Sequence, residues 1–578
     1  MRLEEVQITN FCSCRSVRVL LGDFNPLIGY NNSGKSNVLR AITWLLKKSV
    51  LQRQVFWDQT AAIMVEGTIS DVNLALLPAN QQGQITPYLT NNSLRFRRRQ
   101  DSPSVPATQV RIEVLNPNTG QWDTNPTGLD NAIGVLFPEP LYIQAMEDAA
   151  EDVGKFAAKN TIGLLLKYTL DRIRNSNQQA FATIEGALQQ VNGLLNGPAR
   201  IQELQEFETR ATQAINQFFP GLALHMQIDA PEVDELVKGA SVALSEGVAA
   251  RPFTSFGHGA QRSVHMALIK LLATYATVVN GSTVVLLIDE PELYLHPQAI
   301  EILRESLKVL STQGFQVVFS THSPLMIAED DVLSATIVYK TAALGTTTRQ
   351  RLTNAAHILA GHPHQAAVTF AIQHATYVLF SESVVIAEGK TERLLIPGLY
   401  KALRGHSMTL DRGCVIEASS SSSLLPMMQV LTAVGFSPKV VADLDFLFKV
   451  APGTAIVDTN SPEYQACLAW FSANTAQGFA IGADGLPTRR DQNGALMPVD
   501  PEAAFELLAA GCPAEVASLV ASARTHGVWV WHGGAIEAHL GIRKNDTERT
   551  AFLLNAQVTN SVAHAADPGT ISAFLNWL

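Results

Sequence analysis

Cysteine is scarce in this chain. Among 578 residues there are five, Cys12, Cys14, Cys414, Cys467 and Cys512, scattered and odd in number. That excludes a disulfide framework and suits a reducing compartment. Cys12-Ser-Cys14 has no second Cys or His pair nearby, which excludes the usual zinc spacing. Charge is also sparse, at 16% of residues, with a net of −10. Such a balance gives no global pull toward nucleic acid, so any contact with a phosphate backbone must be local. The N-terminus lacks the continuous apolar stretch of a signal peptide, and no run reaches membrane-spanning length. A cytoplasmic protein with no membrane partner is expected. With 47% hydrophobic residues, the chain can fill the cores of three or four domains.

What is present is organised around Thr283-Val-Val-Leu-Leu-Ile-Asp-Glu-Pro-Glu-Leu-Tyr-Leu-His-Pro297. Val284 to Ile288 form a continuous apolar run, the pattern of a strand buried on both faces of a parallel sheet. Such a strand delivers Asp289 and Glu290 to the carboxyl edge of the sheet, where open α/β folds bind ligands. Acids held there carry a desolvation cost that a cation or a reacting water relieves. Asp289, first off the strand, is placed for Mg²⁺, and Glu290 for a general base.

A second buried strand, Asn25 to Ile28, runs into Gly29-Tyr-Asn-Asn32-Ser-Gly34-Lys35-Ser36 and then into a helical pattern. This matches G-x-x-x-x-G-K-[ST]. Its backbone N–H groups, through Asn32 and Gly34, cradle nucleotide phosphates; Lys35 puts charge on the β- and γ-phosphates, and the Ser36 hydroxyl reaches Mg²⁺. ATP is the expected ligand. A third buried strand, from Val317, ends at His322, which reads as a γ-phosphate neighbour. Gln144 follows Leu141-Tyr-Ile143 at a strand end and is suited to bridge Mg²⁺ and an attacking water.

Ser255-Phe-Gly257-His-Gly259-Ala-Gln261 is a glycine-rich turn feeding an apolar helix, again an anion site. It cannot wrap phosphates already held at Gly29, so Gly257, Gly259 and Gln261 read as completing the nucleotide site of a second protomer. Residues 160–217 have helical spacing and are too short for long coiled-coil arms; packing on the body or on a second copy is the expected use. Arg95, Arg97, Arg98 and Arg99 around Phe96 are the most basic spot. They read as a solvated strand face, with phosphate contact the alternative. Residues 341–376, rich in Ala, Thr and His, read as a connector.

A second α/β unit then begins. Val384 to Ala387 leads into Glu388-Gly-Lys-Thr-Glu392, Val440 to Ala442 into Asp443-Leu-Asp445, and Val528 to Trp531 into Gly533-Gly-Ala-Ile-Glu537, with Lys544 beyond. Strand-end acids at Glu388, Asp443 and Asp445, supported by Glu392 and Glu537, can gather around one or two Mg²⁺ or Mn²⁺ ions. A close metal pair is a known device for splitting phosphodiesters.

The first motif set resembles the ABC-type ATPase heads of DNA-repair and chromosome proteins: Gly29–Ser36 as Walker A, Gly257–Gln261 as the signature, Val284–Glu290 as Walker B and His322 as the switch histidine. Gly257 stands where the signature usually has serine. The second half resembles the Toprim domain. Together they are similar to the OLD (overcoming lysogenisation defect) nucleases, notably in Gly29–Asn32, Phe256–Gly259, Asp289–Pro297 and Glu388–Glu392. The resemblance implies ATP hydrolysis, metal-dependent DNA cleavage with Lys544 supporting the transition state, a homodimer or higher oligomer, and a role in phage defence. Ala535 stands where the family's later acidic motif often carries Asp, and Ser419 to Ser423 occupy a loop where it tends to have glycines.

The expected architecture is therefore α/β throughout. An ATPase head covers residues 1–159 and 226–340 and is interrupted by a helical insert at 160–225, suited to dimerisation. A connector at 341–376 leads to a Toprim domain at 377–578. The competing readings are an ATP-dependent DNA clamp or sensor that does not cut, and a nuclease active only with a separate partner.

Overall fold

The computed structural model describes residues 1–103, 105–137, 140–144, 176–197, 200–228, 242–245, 247, 249–280, 283–328, 331–332, 334–349, 351, 378–418 and 420–578. The helical spacing at 160–175 and most of the expected connector lie outside them. The chain packs as two units. One comprises Met1–Leu27, Gly34–Met326 and Lys340–Thr347; the other Ile28–Ser33, Ile327–Tyr339 and Thr348–Leu578.

In the first unit, alternating apolar residues make an antiparallel run: β1 (Arg2–Phe11), β2 (Cys14–Leu20), β4 (Ile63–Ser70), β5 (Leu94–Gln100), β6 (Arg111–Leu115) and β7 (Trp122–Thr124). β1 pairs with both β2 and β4. The first hairpin is tight: Phe11 pairs with Cys14, leaving Cys12 and Ser13 at the turn. β3 (Phe24–Ile28) leads to the glycine loop, and α1 (Lys35–Leu46) buries Val38, Leu39, Ile42 and Leu45.

The continuous apolar runs become parallel strands: β8 (Leu141–Ile143), β9 (Val284–Asp289) and β10 (Phe315–Thr321), with β9 in the middle. Every residue of β9 and β10 is buried, as a strand covered on both faces requires. Ile300, Leu303, Leu307 and Leu310 of α5 (Pro297–Ser311) cover one face, against Leu286, Ile288, Val317 and Phe319. Helices α2 (Gln178–Asn196) and α3 (Gln202–Asn216) bury none of their residues, and α2 ends at Asn196 with Gly197 as its cap; Phe207 is 54% exposed. α4 (His258–Asn280) follows the second glycine turn.

The second unit holds a four-stranded parallel sheet: β11 (Ser383–Ala387), β12 (Gly413–Glu417), β13 (Lys439–Ala442) and β14 (Val528–Val530), in the order β12-β11-β13-β14. The period of two sorts its residues onto two cores. Val384, Ile386, Val440 and Val528 face one, and Val385, Val441 and Trp529 the other, where Phe574 packs between Trp529 and Trp531. Helices α6 (Lys390–Arg404), α7 (Ser421–Val434), α8 (Pro501–Gly511) and α9 (Asp546–Thr559) are among those of this unit. The serine run expected in a loop instead starts α7 at Ser421, with the Ser423 N–H bonded to the Ser420 carbonyl. Among the described residues no single helix is long and apolar enough to cross a membrane. α8 and the helix Pro513–Thr525 together have the length and composition, but they are bent by 106° and bury Phe505, Leu508, Val516 and Val520 in the core.

One buried side chain ties the ends of the first unit together. Gln316, on β10, accepts from Leu3 N at 3.0 Å and donates to Leu3 O at 2.6 Å and Gly22 O at 2.9 Å. Gln316→Leu takes this partner from both Leu3 N and Leu3 O in an apolar setting, while Gly22 O keeps Asn25 Nδ2 at 2.7 Å. We expect it to cost about 1–3 kcal/mol or more, seen as a lower midpoint of thermal unfolding. An unchanged midpoint would mean that the strands need no such tie.

Candidate active sites

The first centre forms where α1 meets the ends of β9 and β10. Gly34 precedes α1 at φ 106°, and a Cβ there would collide with the Thr346 hydroxyl, so only glycine turns the loop into the helix. Lys35 is thereby buried, and burial pulls its ammonium down to about 8 despite Glu290, Asp289 and Glu292 nearby. Asp289 lies opposite Ser320 in the register and accepts from its hydroxyl. Glu290 turns off the strand at φ 48°, and its N–H bonds Ser320 O at 3.2 Å and Ser320 Oγ at 3.0 Å.

His322 stands between opposite charges: its Nε2 is 2.8 Å from Lys35 Nζ and 2.9 Å from Glu290 Oε1. One ring nitrogen cannot accept from the lysine and donate to the glutamate at once, so the two contacts compete. Burial and then Lys35 hold the histidine below its usual range. Glu292 is a site residue that sequence reasoning misses. It is buried, with Oε1 taking Thr321 Oγ1 at 2.7 Å and His322 N at 2.8 Å, which fixes the loop carrying His322. The only signal for it is a third acid in Asp289-Glu-Pro-Glu292.

Ile143 pairs with Ile288, so Gln144 leaves the sheet beside Asp289. Ser36 lies in the first turn of α1, and Asn32, at φ 67°, in the preceding loop. Gly257, Gly259 and Gln261 form a separate turn. Gln261 folds back to donate to Phe256 O at 2.7 Å, so its amide is used inside its own loop. His258 packs 5.3 Å from the Tyr294 ring, and a Cβ on Gly259 would lie 3.0 Å from Tyr294 O.

The arginine strand is internally matched. Arg95 pairs with Glu66 and Arg97 with Glu113; Arg98 reaches Asp130 at 2.8 Å and Arg99 reaches Asp101 at 2.7 Å. This agrees with an ordinary strand face. Burial pushes the Cys14 thiol up to about 12, which leaves it a core residue.

The second centre lies at the carboxyl ends of β11, β13 and β14. Glu388 follows β11, its N–H on Val441 O at 3.1 Å, and its Oε2 accepts from Asp443 N at 3.1 Å. The Leu444 N–H bonds Gly534 O at 2.7 Å, bringing the turn before Glu537 alongside. Glu388, Asp443, Asp445, Glu537 and Lys544 line one cavity of about 370 Å³. Glu392 is 3% exposed, one turn into α6. Lys544 Nζ lies 3.7 Å from Asp443 Oδ2 and 3.0 Å from Glu502 Oε2. Lys449 pairs with Asp445 at 2.9 Å.

So many acids at one place cannot all ionise comfortably. Burial, then Asp445, raises Glu388 to about 7. Burial, with Glu537 and Glu388, raises Glu392 to about 8. Asp443 is lifted well above the carboxylate range by burial and by Glu392 and Glu388. Burial alone would lower Lys544, but Asp443 and Glu502 more than offset it and hold it above the usual lysine range. Asp443 Oδ1 and Asp445 Oδ1 are buried without a hydrogen-bond partner. Oxygen donors only, crowded, with orphaned lone pairs: this set fits a hard divalent cation. Glu502 and Glu506 of α8 also line the cavity; nothing in their local sequence announces it.

A nearby cluster, His532, His539 and Asp567, is closed on itself. The His539 ring bonds Asp567 Oδ2 at 3.0 Å and accepts from Gly533 N at 3.1 Å, so it anchors the turn leading to Glu537.

Comparison with known proteins matches residues 1–70 and 140–327 to an AAA ATPase domain family. Residues 379–445 match the "Overcoming lysogenization defect protein-like, TOPRIM domain" family. The Old nuclease of Escherichia phage P2 is 32% identical over 572 residues, 96% of this chain and 95% of that protein. The OLD nuclease of Thermus scotoductus is 21% identical over 355 residues, 56% of this chain and 59% of that protein. A crystal structure of an Smc head bound to the C-winged helix domain of ScpA overlaps 61% of this chain and 100% of its own, at 14% identity and a TM-score of 0.38, too loosely to bear on function.

Because the folded protein holds Glu388 protonated to higher pH than the unfolded chain does, stability is lost as pH rises from the carboxylate range through about 7. Glu388→Gln keeps an acceptor for Asp443 N without the charge. In chelator it should therefore melt higher than the parent at pH 8, with the gap closing near pH 4. Equal melting at pH 8 would show that the carboxylate is not strained.

Proposed function

Since this chain belongs to the OLD (overcoming lysogenisation defect) family of nucleases, we propose that it is an ATP-hydrolysing, divalent-metal-dependent DNA nuclease acting in phage exclusion or defence. The observation that carries this reading is the gathering of Glu388, Asp443, Asp445, Glu537 and Lys544 on one cavity at the ends of three parallel strands.

The acids suit one or two Mg²⁺ or Mn²⁺ ions, with Glu388, Glu392 and Asp443 for one and Asp445 and Glu537 for the other. A bound cation there supplies Lewis acidity and an ionised water at neutral pH. The chain's own residues do the rest. Asp443 N fixes Glu388, and the Leu444–Gly534 bond holds the two turns in register. Lys544 is the cation poised to meet charge developing on a phosphate, once it exchanges Glu502 for the substrate.

At the other centre, Asp289 and Ser36 suit the Mg²⁺ of MgATP, Glu290 acts as base, and Gln144 positions the water. A γ-phosphate offered to Lys35 would resolve the competition at His322: the lysine turns to the phosphate, and the ring is left to Glu290. Gly257 to Gln261, through backbone N–H groups, would complete the site of a second protomer in a homodimer or larger assembly.

Plasmid cleavage with Mg²⁺ or Mn²⁺, with and without ATP, tests the nuclease. Asp443→Ala and Glu388→Ala should each lower cleavage on the order of 10²-fold or more while ATP hydrolysis persists. Cleavage surviving in Asp443→Ala would overturn the metal assignment. DNA bound but uncut by the parent under all conditions would favour a clamp, or a nuclease that needs a separate partner.

Lys35→Ala should lose ATP binding, and Glu290→Gln should bind ATP but not hydrolyse it. Parental hydrolysis by Glu290→Gln would reverse the roles of the two acids. If the second-protomer reading is right, ATPase rate per chain falls on dilution; a rate independent of concentration in a monomer would end it.

A further inference from the structure

Glu537 is held in an unusual way for an acid beside other acids. It is 7% exposed, and both hydrogen bonds of its carboxylate fall on one oxygen: Oε1 takes Thr391 Oγ1 at 2.5 Å and Arg549 Nη2 at 3.3 Å. Oε2 makes no bond among the described residues. Arg549 is anchored in turn, with Nη1 on Asp546 Oδ1 at 3.2 Å, and Asp546 also takes Lys390 Nζ at 3.0 Å. Thr391 and Lys390 open α6, and Asp546 and Arg549 open α9, so two helix starts converge on one carboxylate.

From this geometry we infer that Thr391 and Arg549 are positioning residues, a clamp that saturates Oε1 of Glu537 and presents Oε2 to a divalent cation in the cavity. The inference rests on the metal-site reading above.

Three features argue against a merely structural ion pair. The packing of α6 on α9 is already secured by Leu395, Leu399, Phe552 and Ala556 in the apolar core. Burying the Arg549 guanidinium, 12% exposed with Nε unpartnered, costs desolvation that one exposed partner such as Asp546 would not return. The acid it serves lines the cavity, where the adjacent Ala535 has no side-chain oxygen to substitute for it. A side chain that holds a metal-binding carboxylate by its other oxygen orients the ligand and removes its rotamer freedom before the ion arrives.

The decisive pair is Thr391→Val, which keeps the shape and loses the hydroxyl, and Thr391→Ser, which keeps the hydroxyl. Mn²⁺ binding to the full chain without nucleotide, read from the electron paramagnetic resonance of free Mn²⁺ with the Asp443→Ala, Asp445→Ala double variant as the baseline, should weaken about 10-fold or more in Thr391→Val and in Arg549→Ala. Thr391→Ser should bind nearly as the parent does. In cleavage assays the half-saturating Mn²⁺ should rise by the same factor in the two weakened variants, while kcat at saturating Mn²⁺ stays within a few-fold.

Parental Mn²⁺ binding by Thr391→Val overturns the clamp. Glu537→Gln separates the two levels of inference. If it weakens Mn²⁺ binding and the clamp variants do not, only the clamp falls; if it binds Mn²⁺ as the parent does, Glu537 is no ligand and both readings of that residue fall.

Discussion

Carboxylates held at the carboxyl ends of buried parallel strands are the constraint on which both centres depend. An apolar strand is easily buried; the acid that follows it is not. Each centre answers that cost differently. Around Asp289 and Glu290 the answer is mostly internal: Ser320, Thr321, the His322 N–H and Lys35 supply donors and a cation within reach. Around Glu388 and Asp443 it is incomplete. Lys544 and Lys449 face at least five acids, two carboxylate oxygens are buried with no partner, and Glu388 and Glu392 are lifted to about 7 and about 8. The imbalance is one that a cation from outside the chain would relieve.

The two arrangements also differ in what they can do without moving. The second is set by backbone bonds between strand ends, from Glu388 N to Val441 O and from Leu444 N to Gly534 O, which leave little slack. The first turns on a single ring nitrogen shared between a lysine and a glutamate. A change of charge beside Lys35 would favour one neighbour of the histidine over the other.

Much of this is legible in the order of the amino acids. Continuous apolar runs betray the buried parallel strands, and the residue after each run marks the site, because strand direction alone carries Asp289, Glu388 and Asp443 to the same edge of their sheets. Gly34 is legible because only glycine makes that turn without a collision. What cannot be read depends on where a side chain goes after the backbone bends. Glu292 matters because Glu290 takes a left-handed conformation and turns the following residues back toward Thr321. Glu502 and Glu506 reach the cavity from a helix whose placement no local pattern encodes. The four arginines look like a patch because three of their partners, Glu66, Glu113 and Asp130, lie on other segments. Gln261 looks outward in sequence and folds inward in fact.

The Gln316 tie has a consequence for how the chain is made. Its partner Leu3 lies 313 residues earlier, so the first strand leaves the ribosome long before the residue that satisfies it exists. At about 5–20 residues per second, that wait is roughly 15–60 s. For all that time Leu3 N and O lack the amide that meets them in the folded unit. The four strands of the second unit, Ser383 to Val530, meet partners made much sooner. Synthesis rather than stability is therefore where the N-terminal half is most exposed to misassociation, and holding factors at the ribosome should matter more to it than to the half that carries the acids.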